Sequence, residues 1–178
     1  LALDHGNLTG TLPNVYGTTL VTVGFSRIGA RQQLRAWLEL LAVTVGHPGE
    51  PWRARLFGKG SRTSLGPVSV RYAAAVLDDL LALYGDGLRE PIPFAAATSL
   101  AYLRALRARA TEDECRKEAG NAWRMERDSA YGKFFGSGID DLVAEPRRED
   151  EVRGQAVSPT RFGTLAWRVF RPLLEAVS

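Results

Sequence analysis

Leu34, Trp37, Leu38, Leu41, Ala42 and Val45 recur at intervals that place side chains on one stripe of an α-helix. The pattern predicts a helix from about Ala30 to Val45, ended by Gly46 and confirmed by Pro48. Its flanks make it restrictive. Thr18–Val23 before it is a β-branched run, and Trp52-Arg53-Ala54-Arg55-Leu56-Phe57 after it alternates at the period of a strand. A one-sided helix between strands must bury its stripe against the sheet they build. Leu8–Leu12, followed by turn residues at Pro13-Asn14 and Gly17, reads as a further strand paired with Thr18–Val23 in a hairpin.

Beyond Gly58-Lys59-Gly60, which closes the third strand, the pattern turns helical. Ser69 is placed to cap a helix whose stripe is Ala73, Val76, Leu77, Leu80, Leu81 and Tyr84, with Gly85 and Gly87 ending it. Pro91-Ile92-Pro93 forces an extended crossing, and Ser99–Ala110 reads as helix. Thr111 and Glu114 have capping-box spacing and open a helix through Trp123. Ser158-Pro159 reads as a cap and first helical residue, ahead of a stripe of Phe162, Leu165, Ala166, Val169, Phe170 and Leu173 that Pro172 should kink. Ser129–Gln155, with few apolar residues and a mixed charge run, reads as an exposed, mobile connection. The expected fold is α/β or α+β, with a small sheet and extra C-terminal helices. Residues 1–65 form its strand–strand–helix–strand part and residues 66–178 the helical part of the same single domain.

At 178 residues the chain is long enough for one well-buried core. The single cysteine, Cys115, excludes an internal disulfide and fits a reducing, cytoplasmic setting. No apolar run approaches the roughly 20 residues that span a bilayer, so no membrane partner is expected. The first residues lack a signal peptide's basic start and apolar core, and they lack an initiator Met, as expected of a C-terminal fragment of a larger chain. Residues 1–89 hold nine Lys/Arg against six Asp/Glu, whereas residues 90–178 hold fourteen of each. The basic excess sits in the first half, which suits an anionic partner such as nucleic acid without demanding one.

Catalytic chemistry is hard to place. His5 and His47 have no second Cys or His at ligand spacing, so no metal site is expected. Gly58-Lys59-Gly60-Ser61 lacks the upstream glycine and strand–loop–helix setting of a phosphate loop. Cys115 lies in a charged helix away from either histidine and reads as inert. Asp78-Asp79 reads as the solvated face opposite Leu77, Leu80 and Leu81. The strand–turn–strand–helix order is that of the restriction-endonuclease, or PD-(D/E)xK, core. There, carboxylates on adjacent strands hold Mg²⁺ and a lysine stabilises charge at the scissile phosphate. Here no acid occurs between Asp4 and Glu39, and no lysine precedes Lys59. Neutral residues cannot hold Mg²⁺ in that geometry, so no catalytic residue is assigned.

Four stretches then resemble a known family. They are Leu8–Arg27 (LTGTLPNVYGTTLVTVGFSR), Leu34–Leu41 (LRAWLELL), Ala75–Phe94 (AVLDDLLALYGDGLREPIPF) and Phe162–Leu174 (FGTLAWRVFRPLL). Trp123, after Ala119 and Ala122, fits the same family's alanine-rich helix. Together they are similar to the C-terminal domain of RecC, the gamma subunit of exodeoxyribonuclease V, the RecBCD helicase–nuclease. The resemblance implies a degenerate nuclease-like core, similar in fold to the RecB nuclease domain but without its active residues. It implies a non-catalytic part of a DNA hydrolase complex in double-strand break repair and homologous recombination. RecB and RecD are the implied partners, with double-stranded ends and unwound single strands as nucleic-acid partners. ATP and Mg²⁺ are expected in the partner subunits and no cofactor in this domain. Gln33 and Trp37 occupy the place of a Gln-x-x-x-Tyr pattern in RecB-type nucleases, with Trp for Tyr; packing is the simpler role for Trp37.

Any nucleic-acid contact is expected along Arg53, Arg55, Lys59 and Arg62. These bases fall within ten residues with no acid between them, and alternation puts Arg53 and Arg55 on one face. A charged edge strand that deters aggregation would carry the same residues. Two other readings stay open: an active Mg²⁺ nuclease whose acids lie outside the fragment or elsewhere in the fold, and a pure protein–protein module.

Overall fold

The computed structural model describes residues 1–126 and 129–178 of a mixed α/β chain, with seven α-helices among them. It forms two compact units, Leu1–Glu90 with Pro172–Ser178, and Pro91–Arg171.

In the first unit, β1 (Ala2–Leu3) and β2 (Gly6–Asn7) make a small antiparallel ladder. A four-stranded sheet follows, in the order β3 (Val15–Tyr16), β4 (Thr19–Val23), β5 (Arg53–Gly58) and β6 (Ser61–Leu65). β4 and β5 run parallel, and the other two pairings are antiparallel. Parallel neighbours cannot be joined by a hairpin, so α1 (Ala30–Gly46) is the crossover, and it packs on both strands. α2 (Val70–Gly87) packs along α1 and starts at Ser69, whose side chain accepts from the Tyr72 N–H. The register pairs Leu20 with Ala54 and Ala54 with Leu65, and all three are buried with Leu56. On α1, Trp37, Leu40 and Leu41 are fully buried.

Several expectations change here. The partner of Thr19–Val23 is Val15–Tyr16, not Leu8–Leu12, which forms no strand. The turn lies at Gly17, whose φ of +56° suits glycine. β6 was not foreseen: its Ser-Arg-Thr-Ser start lacks the apolar alternation by which strands are read, yet it is the return arm of a hairpin over Lys59-Gly60. The buried stripe of α1 is turned by about a residue, to Gln33, Ala36, Trp37, Leu40 and Thr44, leaving Leu38 exposed. The Thr44 hydroxyl satisfies itself on the Leu40 carbonyl at 2.8 Å, which lets a polar residue lie inside. In α2, Leu83 is buried while Leu80 is half-buried and Tyr84 exposed. Asp78 is no idle surface acid: it accepts from the His5 backbone N–H at 2.9 Å and pairs with His5 Nδ1 at 2.7 Å, tying the β1–β2 ladder to α2.

The second unit contains α3 (Ala96–Arg107), α4 (Glu112–Glu126), α5 (Ser129–Phe135), α6 (Ile139–Leu142), a 3₁₀ turn at Glu149–Glu151, and the part of α7 (Arg161–Glu175) up to Arg171. Its core gathers Tyr102, Cys115, Trp123, Leu142, Val143 and Phe162, with Tyr102 edge-on to Phe162 at 5.4 Å. The capping box at Thr111 and Glu114 forms as expected. Glu126 closes the other end of the helix pair, accepting from the Ala97 and Thr98 N–H groups in the first turn of α3.

The segment read as a mobile connection is largely structured. It holds α5, α6 and the 3₁₀ turn, and it buries Leu142, Val143 and Glu151; residues 127 and 128 lie outside the described ones. The anchor is Arg161, only 1% exposed, which donates from Nε and Nη2 to Glu151 and from Nη1 to Glu145. α7 begins two residues later than expected. Its first turn is capped by Thr160, which accepts from Gly163 N–H, while Ser158 accepts from Thr160 N–H. All six residues of the expected α7 stripe are buried, and the helix runs on through Pro172.

Candidate nucleic-acid interface

Residues directly opposite one another in a sheet share a face, and the register therefore fixes which side chains stand together. Leu20, Ala54, Leu56 and Leu65 take the buried face. The opposite face carries three rows across the strands. Tyr16, Thr19 and Arg53 form the first, Val21, Arg55 and Ser64 the second, and Val23, Phe57 and Arg62 the third. Arg55 and Arg62 are exposed, and Arg53 is half-buried because its Nη1 donates to the Gly66 carbonyl at 3.1 Å. Lys59 is exposed in the β5–β6 turn at the end of the third row. Three of the four basic residues singled out in the sequence thus share one sheet face, and the fourth stands at its rim. No Asp or Glu occurs between Glu50 and Asp78, or between Asp4 and Glu39, so these strands contribute no negative charge.

The apolar half of this face does not show in the sequence alone. Tyr16 is 66% exposed, Val23 74% and Phe57 43%, and Phe25, just past β4, is fully exposed. Scattered apolar residues on a surface need no explanation, but here Val23 and Phe57 are register neighbours at one end of the face. Phe57 was visible as the third member of the Arg53–Arg55 alternation. Tyr16 does not show in the sequence because its two-residue strand carries no alternation and is a strand only through its pairing with Thr19.

The end of the parallel pair is tightly stitched. Gly24 N–H donates to the Phe57 carbonyl at 2.8 Å, and Lys59 N–H to the Ser26 carbonyl at 2.9 Å. A Cβ on Gly58 would stand 2.6 Å from the Ser26 carbonyl oxygen, so only glycine allows this approach. The side chains at these strand ends, Val23 and Phe57, supply no oxygen ligand and do not fit Mg²⁺. Among the described residues no group of three or more His, Cys, Asp and Glu could hold a metal ion.

Gln33 and Trp37 are both interior. Gln33 Nε2 donates to the Ile28 carbonyl at 3.5 Å, steadying the entry to α1. Trp37 is fully buried, and its indole N–H finds no acceptor among the described residues. Both belong to packing, away from the open sheet face. Burial raises the Cys115 thiol above its ordinary range, which disfavours the reactive thiolate. Among the described residues no helix is long and apolar enough to cross a membrane.

The family model for the RecC C-terminal domain matches residues 1–107, which include the whole sheet with α1 and α2. The chain is 32% identical to the RecBCD enzyme subunit RecC of Mycolicibacterium smegmatis over 95% of its own length. It is 32% identical to RecBCD enzyme subunit RecC of Mycobacterium tuberculosis over 97% of its length. It spans 16% of the length of each of these curated relatives. With the family model covering more than half of it, the chain belongs to the RecC C-terminal domain family.

Proposed function

We propose that this chain is a non-catalytic domain of a RecC-type subunit in a cytoplasmic RecBCD-type helicase–nuclease, which acts in double-strand break repair and recombination. Its partners are RecB- and RecD-type subunits, with duplex ends and unwound strands as nucleic-acid partners. ATP hydrolysis and Mg²⁺-dependent cleavage belong to the partner subunits, and this domain supplies a rigid surface. The β3–β4 hairpin, the α1 crossover and the parallel β5 are then a degenerate restriction-endonuclease-like core.

The observation that carries this reading is the open sheet face with Arg53, Arg55 and Arg62 and no acid on its strands. Cationic, acid-free surfaces draw phosphate through counterion release. Val23 and Phe57 at the strand ends support the absence of cleavage, because neutral side chains cannot place the metal that activates water. The test uses the assembled complex with the partner's nuclease centre inactivated, incubated with linear DNA, ATP and Mg²⁺ or Mn²⁺. The DNA is expected to be unwound but uncut. Residual cleavage that a substitution in this chain removes would overturn the proposal.

A further inference from the structure

We infer that the open sheet face is a stacking platform for single-stranded DNA, with Tyr16 and Phe57 as its two base-stacking groups. This rests on the nucleic-acid reading above and deepens it from phosphate attraction to recognition of unpaired bases. Tyr16 lies on β3 and Phe57 on β5, two strands apart. Phe57 is four residues beyond Arg53, the residue in Tyr16's row. With strands about 4.8 Å apart and a rise of about 3.3 Å per residue, the two rings are offset by roughly 16 Å on a diagonal. Val21 of β4 stands midway along that diagonal, Arg55 is beside it in the same row on β5, and Arg62 stands directly opposite Phe57.

Two exposed rings on one sheet face, with guanidinium groups beside the path between them, form an arrangement that suits a single strand. Bases stack on aromatic faces while cations track the phosphates. Duplex DNA keeps its base faces stacked on each other, so exposed rings add nothing to duplex binding. A protein partner would be expected to bring acids to these arginines and to cover Val23 and Phe25. The lack of any acid on these strands leaves the charge to be matched by the ligand in either case, but only unpaired bases make use of both rings.

The experiment uses the full helicase–nuclease complex with an oligothymidylate probe and a duplex of equal length. Ultraviolet crosslinking of the bound oligothymidylate, followed by peptide mapping, is expected to mark Tyr16 and Phe57. Tyr16→Ala and Phe57→Ala should each weaken oligothymidylate binding by about 5- to 100-fold, leaving the salt slope and duplex affinity unchanged. Tyr16→Phe and Phe57→Tyr should restore binding, which separates stacking from a folding defect. Alanine variants that bind the single strand as before, with no crosslink at either residue, overturn the stacking platform. If Arg55→Gln and Arg62→Gln still reduce the salt slope, only the stacking claim falls. If those variants also leave DNA binding intact but loosen subunit assembly, the face is a protein-docking surface and both readings fall.

Discussion

Replacing Glu151 by Ala removes one side of an ion pair that is out of water. Arg161 is 1% exposed and Glu151 5%, and Glu151 accepts from Arg161 at 2.7, 2.9 and 3.0 Å. The substitution leaves a buried guanidinium without its principal counter-charge, for which the loss is about 3–5 kcal/mol. Glu145 still reaches Arg161 Nη1 at 3.1 Å, but its side chain is 45% exposed and its attraction is screened, so the loss is expected near ~3 kcal/mol. An internal control is Glu39→Ala. Its partner Arg35 is 74% exposed and the pair is screened by solvent, so the loss should be far smaller than for Glu151→Ala. Urea unfolding followed by circular dichroism measures both, and hydrogen exchange should show lost protection in α7 for Glu151→Ala alone. Equal losses for the two variants would refute the argument that burial makes the Arg161 pair matter. Replacing Glu151 and Arg161 together with apolar residues of similar volume should cost less than Glu151→Ala, because no lone charge remains.

Leu41→Ala, at a fully buried position, should cost about 2–5 kcal/mol, and Leu80→Ala less because that side chain is only half-buried; chemical denaturation ranks the two. Gly58→Ala should cost about 1–3 kcal/mol through the clash with the Ser26 carbonyl, and a melting temperature equal to that of the parent would show that the loop yields freely. Asp78 is held below the usual aspartate range, first by the His5 backbone N–H and then by the His5 side chain. Its contribution is therefore full above the ordinary aspartate pKa of about 3.9 and is lost as pH falls through the lowered value. The protection factors of the β1–β2 ladder, corrected for intrinsic exchange, should fall as pH drops below the ordinary aspartate range, and Asp78→Asn should remove that acid-induced loss.

The parts of the fold legible in the sequence were those set by local periodicity. α1, β5, α2 and α7 were each readable because apolar residues recur at one spacing along a continuous segment, and Thr111–Glu114 because a cap is a contact between near neighbours. The parts that failed depend on partners distant in the chain. β6 is polar and is a strand because β5 offers it a ladder. The run from Glu145 to Arg153 looks like a solvated charge block until Arg161 is brought to it by α7. Sequence alone does not distinguish an exposed charge run from a buried ion pair. The site shows the same division. Arg53 and Arg55 were paired by alternation within one strand, whereas Tyr16 joined them only through the β3–β4–β5 register.

Whether that sheet face meets phosphate is measured most directly by the salt dependence of DNA affinity in the assembled complex. Arg55→Gln with Arg62→Gln is the right pair to change, because both are exposed whereas Arg53 also holds the Gly66 carbonyl. Each phosphate contact on a single strand contributes about −0.7 to the slope of log affinity against log salt, so the double variant should make the slope shallower by roughly 1.4 and weaken binding most at low salt. An unchanged slope and affinity in a fully assembled complex would contradict the account and assign these arginines to a solvated face.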